Sequence, residues 1–133
     1  MQETYVTHRP IRLALVLVIA TISVAGCNRG GAAKPTQKRM MSRALNHGHF
    51  GVTRQAKIKI VPGPLTCKVK LDDKAESVTS DCATKTPDGK SVTVHVVSTY
   101  NQLRKNRVAL PGDATITVEG GKPFKATCLG SSC

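Results

Sequence analysis

Aromatic residues are scarce in this chain, at 3% of its 133 residues, with two Tyr, two Phe and no Trp. A core built on aromatic side chains is therefore excluded, and so is a stacking platform for single-stranded nucleic acid, which needs several exposed rings. Acidic residues are scarce too, since 8 Asp and Glu stand against 20 Lys and Arg and leave a net charge of +12. The length fits one domain. We expect an anionic partner but no specific nucleic acid.

The amino-terminal segment has the order of an export signal. An apolar run of 12 residues, Leu13–Val24, follows the basic residues Arg9 and Arg12. As a helix this run would be about 18 Å long, which is too short for the roughly 30 Å hydrocarbon core of a bilayer. It fits the apolar region of a cleaved signal peptide better than a membrane anchor.

The signal ends in Val24-Ala25-Gly26-Cys27. This order, an aliphatic residue, two small residues and Cys, resembles the lipobox of bacterial lipoproteins. The resemblance implies that Cys27 is acylated, with chains such as palmitate, and that it becomes the first residue of the mature protein. The alternative is a plain secretory signal without lipid. Asn28 follows Cys27, as in lipoproteins sent to the outer membrane of cells with two membranes. We therefore expect a lipid-anchored envelope protein, held in the outer membrane there and in the cell membrane otherwise.

Four cysteines remain beside Cys27, namely Cys67, Cys82, Cys128 and Cys133. An even number in an exported chain predicts two disulfides, with three possible connectivities. Cys67 and Cys82 fall on successive predicted strands, and Cys128 and Cys133 are close in sequence, so we expect these two pairs. Cys133 could instead reach back to another strand. A zinc site is the competing use of four cysteines, but no Cys-x-x-Cys pair is present.

The region from Asn28 to Lys57 contains seven Lys and Arg and no acid. Its first part, Asn28–Pro35, has the composition of a flexible tether. Thr36 can cap a short helix over Gln37–His47 that Gly48 ends. Three interpretations stay open: a helix docked on the following sheet, a disordered arm, and a basic helix lying on anionic lipid beside the anchor.

Beyond this region the apolar residues alternate with polar ones, which predicts short antiparallel strands. The fold class is therefore α+β, a small sheet of five or six strands with at most one amino-terminal helix, stapled by disulfides. We divide the chain into a signal peptide (1–26), a lipidated Cys with a basic tether (27–56) and a small β-rich domain (57–133). The predicted strands are Lys57–Val61, Thr66–Leu71, Glu76–Thr84, Ser91–Tyr100, Ala114–Val118 and Phe124–Cys128, with turns at Pro87–Gly89, Pro111–Asp113 and Gly120–Gly121.

The segment Met40–Thr99 contains a predicted helix and then a predicted strand that ends near Cys67. A second Cys follows 15 residues later, and a turn then precedes the Val/Thr-rich strand Ser91–Val94. This order resembles a domain of unknown function found in mycobacterial and related actinobacterial lipoproteins. Lys68 stands where that family usually has Pro, and the segment after Tyr100 is not covered. The resemblance implies a Cys67–Cys82 bridge and no known catalytic residue.

The candidate catalytic and metal-binding residues are few. His47 and His49 could share one face of an extended segment and hold copper or zinc, but no third ligand is identifiable and surface histidines are favoured. His95 is expected to be an exposed strand histidine. No Gly-x-Ser-x-Gly motif is present, and the neighbours Asp72 and Asp73 would point to opposite faces of a strand. We expect no enzyme, no cofactor and no metal.

The positive charge is the feature that departs most from an average protein. Loss of residues 1–26 removes Arg9, Arg12 and Glu3, so the mature chain carries +11. The strand lysines, including Lys125, fall on the side away from the core, which either protects the sheet edges or binds anions. We expect a non-enzymatic binding or structural role at an anionic envelope polymer or lipid; the alternative is an accessory subunit of a membrane or secretion complex that docks an envelope protein. The candidate surface residues are Lys38, Arg39, Arg43, Lys57, Lys59, Lys68 and Lys70.

Overall fold

The computed structural model describes residues 34–133. The predicted signal peptide and the lipidated Cys27 lie outside these residues, so acylation and cleavage stay predictions. Among the helices of the described part, none is long and apolar enough to cross a membrane.

The five strands form one antiparallel sheet in which each strand pairs with the next one along the chain. A helix precedes the sheet, so the α+β class is confirmed. Short turns join most neighbours, which is why the order in the sheet follows the order in the chain. The strands are β1 (Thr66–Asp72), β2 (Ser77–Lys85), β3 (Ser91–Thr99), β4 (Leu110–Val118) and β5 (Phe124–Leu129).

Strand alternation divides the sheet into one covered face and one open face. On β3, Val92, Val94 and Val96 are at most 2% exposed, whereas Thr93 and His95 between them are exposed. Successive side chains of a strand point to opposite faces, so this pattern follows directly from the sequence. The helices pack on the valine face, where the core lies.

Helix α1 (Gln37–Phe50) begins where the sequence predicts, at the cap Thr36. The Arg39 amide donates to the Thr36 hydroxyl at 3.3 Å. Met40 and Ala44, one turn apart, are 1% and 0% exposed and belong to the core. Of the three interpretations of this segment, the docked helix is therefore correct.

The helix does not end at Gly48 as predicted. It continues to Phe50 and then into a π-helical turn over Gly51–Gln55. A Cβ on Gly48 would lie 3.2 Å from Leu65 Cδ1, and one on Gly51 would lie 2.6 Å from Leu129 Cδ2. These glycines let the helix approach the sheet closely, so they mark packing positions and not a helix end.

The predicted strand at Lys57–Val61 is wrong. Ile58 and Ile60 of this segment are half-buried, but the segment has no regular secondary structure and joins no ladder of the sheet. Its tie to the sheet is the Val61 amide, which donates to the carbonyl of Lys85 at 2.9 Å. Lys57 has a positive φ of 56°, and the prolines that follow Val61 lack the amides that a strand pairing needs.

The turn predicted at Pro111–Asp113 is also wrong, because these residues belong to β4. The register with β5 shifts between Pro111 and Ala114, which marks a β-bulge. Gly112 has a φ of +132°. A Cβ there would overlap the carbonyl oxygen of Val97, so the bulge needs glycine.

A second, short helix that the sequence did not predict, α2 (Tyr100–Lys105), follows β3. Its start is a capping box: the Gln102 amide donates to the Thr99 hydroxyl at 3.1 Å, and the Thr99 amide donates to the Gln102 side chain at 2.8 Å. Leu103 is 6% exposed and anchors α2 on the core.

Two disulfides join Cys67 to Cys82 and Cys128 to Cys133, which are the pairs expected from the sequence. Cys67 and Cys82 face each other directly across β1 and β2, with their Cα atoms 4.0 Å apart. Every described helix, strand and disulfide lies within residues 34–133, together with a common core. The helices and strands of residues 34–133 therefore share one core.

Candidate anion-binding cleft

The strand lysines do not form one continuous surface. Lys68 on β1 and Lys125 on β5 are both exposed on the open face, but they sit at opposite edges of the sheet. Four inter-strand steps of about 4.8 Å put these edges about 19 Å apart. The residues that pair in register across the three strands between them are Asp81, His95 and Thr115. The aligned lysines therefore protect two edges and do not concentrate charge at one place.

The histidines lie apart from one another. His47 and His49 are on α1, where residues two apart point about 200° from each other, so the extended arrangement that could hold one metal ion does not exist. His47 is half-buried, and burial followed by the charge of Arg43 lowers its pKa. His95 is half-exposed, and its Nδ1 lies 2.5 Å from the carboxylate of Asp81. In the described residues, no group of three or more His, Cys, Asp or Glu is placed to hold a metal ion.

Arg43 is not a surface residue, which corrects the sequence prediction for this position. It is only 7% exposed, because it shares with Met40 and Ala44 the face of α1 that packs inward. Its Nη1 donates to the Leu103 carbonyl at 3.5 Å, and among the described residues its Nη2 finds no hydrogen-bond partner. Burial, and secondarily the charge of Arg39, lower the pKa of Arg43.

Arg43 lines a cleft of about 230 Å³ between α1 and α2. Three further arginines line the same cleft, while Pro35, Met40, Tyr100 and Leu103 complete its wall; within the described chain, none of the lining residues is acidic. Arg39 comes from α1, Arg104 from α2 and Arg107 from the loop after α2. Arginines from separate elements thus border one concave site, and no lining carboxylate neutralises them.

Asp73 contacts the cleft residue Tyr100, and its charge is already engaged; Asp72 and Glu76 also lie near enough to act on Tyr100. The carboxylate of Asp73 accepts a hydrogen bond from Tyr100 at 2.7 Å and forms an ion pair with Lys34 at 2.5 Å. The contact with Lys34, and then that with Tyr100, lowers the pKa of Asp73. The same carboxylate raises the pKa of Tyr100 to about 12. These contacts join the start of the described chain to the turn after β1 and to α2.

The other predicted surface residues are exposed, as expected. Lys38 and Arg39 lie on the outer side of α1, and Lys38 joins Arg39 and Arg107 along a shallower groove that continues from the cleft. Lys57 and Lys59 project from the segment Lys57–Val61, and Lys68 and Lys70 project from β1.

Tyr100, Arg104 and Arg107 are the cleft residues that the sequence did not reveal. The signal that could have found them is the Thr99-x-x-Gln102 capping box, which marks a helix start after β3. Their proximity to Arg39 and Arg43 depends on how α1 packs on the sheet, which no local pattern encodes. The chain matches no family model, no curated protein and no solved structure.

Proposed function

We propose that this protein is a lipid-anchored, non-enzymatic protein of the cell envelope whose domain binds an anionic component of the envelope. The lipobox ending at Cys27 supports the anchor and the location. The convergence of Arg39, Arg43, Arg104 and Arg107 on one cleft carries the binding role. Guanidinium groups at neutral pH donate hydrogen bonds and do not accept protons, which favours binding over acid–base chemistry.

The cationic end of the domain is also the end that the anchor would hold near the membrane. Lys34, at the start of the described chain, contacts Asp73 and so lies beside Tyr100 and the cleft. Six residues lie between Cys27 and Lys34, and the seven backbone steps that join them span at most about 25 Å when fully extended. An acylated Cys27 would therefore keep the backbone of Lys34, which precedes the cleft residue Pro35, within that distance of the bilayer surface.

The charge at this end is large enough to matter beside the lipid anchor. Lys38 and Arg39, with Arg104 and Arg107, are four exposed cations around the cleft and its groove. Each cation near an anionic membrane is worth about 1 kcal/mol. Since screening shortens the reach of a charge to about 8 Å at physiological salt, only cations held close to the surface contribute.

The test measures co-sedimentation of the chain from Asn28 to Cys133 with vesicles and with an acidic wall polymer. This chain lacks the anchor, so any binding belongs to the domain. We expect binding to vesicles that contain phosphatidylglycerol, a steep decrease with salt, and no binding to neutral vesicles. The double variant Lys38→Glu/Arg39→Glu should bind more weakly than Lys85→Glu/Lys90→Glu, which makes the same change of charge beside the Pro87–Gly89 turn.

Three results would argue against this function. Equal losses in the two double variants would mean that only net charge counts. Absence of binding at low salt to both vesicles and polymer would remove the proposed role. Capture of an envelope protein that resists high salt would favour the alternative, an accessory subunit of a membrane or secretion complex.

A further inference from the structure

We propose that the cleft between α1 and α2 is a binding site for one phosphate group, with Arg43 as its buried ligand and with Arg39, Arg104 and Arg107 around it. This inference deepens the proposed function, on which it rests, by naming the chemical class of the anion. The phosphate can belong to a lipid headgroup or to a free phosphate compound, and the experiment separates the two.

The first step of the inference is the state of Arg43. Its side chain is more than nine-tenths buried, it lines the cleft, and its Nη2 has no partner among the described residues. Burying a charged donor without a partner is unfavourable, and such donors are normally paired with a protein group, a water molecule or a bound ion. Its hydrogen bond to Leu103 is long, at 3.5 Å, and Nη2 itself is shielded from solvent. An anion in the cleft would therefore reach Nη2 only after the guanidinium group rotates.

The second step is the number and type of the cations. All four basic side chains that line the cleft are arginines, although lysines outnumber arginines in this chain. Arginine presents a planar fork of donors that matches the oxygens of phosphate or carboxylate, whereas lysine acts as a point charge. The four guanidinium groups belong to α1, to α2 and to the loop after α2, so they reach the cleft from separate parts of the chain. A tetrahedral oxyanion can satisfy them together better than a planar carboxylate can.

The third step is the size of the site. A volume of about 230 Å³ lies below the roughly 300–1,000 Å³ of pockets that take drug-sized ligands. The cleft therefore fits a single phosphate group with part of the molecule that carries it. A more open groove of about 480 Å³ adjoins the cleft and shares Arg39, Arg43 and Arg107 with it, so it offers room for that remainder.

The experiment titrates the chain from Asn28 to Cys133 with inorganic phosphate and with acetate at constant ionic strength, by calorimetry and by nuclear magnetic resonance of the arginine side chains. We expect phosphate to bind more tightly than acetate and to shift the Arg43 signals. Arg43→Lys keeps the charge and removes the fork, and Arg43→Met removes both. Each should weaken phosphate binding at least about tenfold.

Arg54→Met is the matched control, because it also removes one arginine. Arg54 is exposed, stacks on the ring of Phe50 at 5.6 Å and does not line the cleft. We expect this variant to bind phosphate within about twofold of the parent chain. Equal binding of acetate and phosphate, or unchanged binding in Arg43→Lys, would overturn the phosphate site.

The source of the phosphate is decided with vesicles of matched surface charge that contain either phosphatidic acid or a fatty acid. Preference for phosphatidic acid that Arg43→Lys abolishes assigns the site to a lipid headgroup. Phosphate binding without that preference assigns it to a free phosphate compound. Both results support the phosphate site. If all anionic vesicles bind equally well to the parent chain and to Arg43→Lys, and the binding of inorganic phosphate is also unchanged in Arg43→Lys, the proposed function stands and the phosphate site fails.

Discussion

Replacing Arg43 with Met should stabilise the protein, although the residue is buried. The Nη2 of Arg43 has no partner among the described residues, and an unsatisfied buried donor costs about 1–3 kcal/mol. The substitution also removes the bond to Leu103, which at 3.5 Å is worth at most about 1 kcal/mol. Met keeps much of the arginine stem's volume, so the packing against Met40 and Leu103 changes little.

The balance of these contributions is a gain of about 1 kcal/mol in the free energy of unfolding. For a folding unit of about 100 residues this corresponds to a rise of about 4 °C or more in the melting temperature. Thermal and urea unfolding followed by circular dichroism measure it, with Arg54→Met as a control expected to change stability by at most about 0.5 kcal/mol. A loss of 1 kcal/mol or more in Arg43→Met would refute the reasoning, since Arg43 would then be a satisfied structural residue.

Three other expectations follow from the fold and the anchor. Gly51→Ala should lower the free energy of unfolding by about 1–3 kcal/mol in urea unfolding, because its Cβ would lie 2.6 Å from the buried Leu129; an unchanged stability would show that Leu129 moves aside freely. Tyr100 should ionise near pH 12 in an absorbance titration. The stability that comes from its hydrogen bond to the Asp73 carboxylate should therefore persist below pH 10 and be lost as the pH rises through 12. In Asp73→Asn the pKa should fall toward 10, and an unchanged pKa would contradict the hydrogen bond. Cys27→Ser should abolish lipid labelling, whereas a mature mass without added lipid in the parent chain would contradict the lipobox interpretation.

Alternation along the chain was enough to predict the sheet. Ser77–Lys85 and Ser91–Thr99 were identified nearly to the residue, because most of the apolar residues in each occupy every second position, on the buried face. The same rule failed at Lys57–Val61, where the apolar residues alternate but the following prolines and a positive φ prevent pairing. It also failed at Gly112, since a glycine in a bulge has the same local signature as a glycine in a turn.

The cleft was only partly predictable, because it is made by tertiary packing. Arg39 and Arg43 were recognised as cations of one helix, but nothing local distinguishes the exposed one from the buried one. That difference arises from the rotation of α1 on the sheet, which Met40 and Ala44 set. Arg104 and Arg107 are distant in sequence and reach the same site only because β3 returns the chain to the end of the sheet where α1 begins.

The most direct test of the central claim is the orientation of the anchored domain on a membrane. The mature acylated chain is placed in nanodiscs that contain phosphatidylglycerol and a lipid with a paramagnetic headgroup, and the broadening of backbone amide signals is measured. We predict strong broadening at Arg39 and Arg104 and little at Gly89, because β3 alone, at nine residues and about 3.3 Å each, separates the two ends by about 30 Å. Equal broadening at both ends, or stronger broadening at Gly89, would contradict a cationic cleft that faces the membrane.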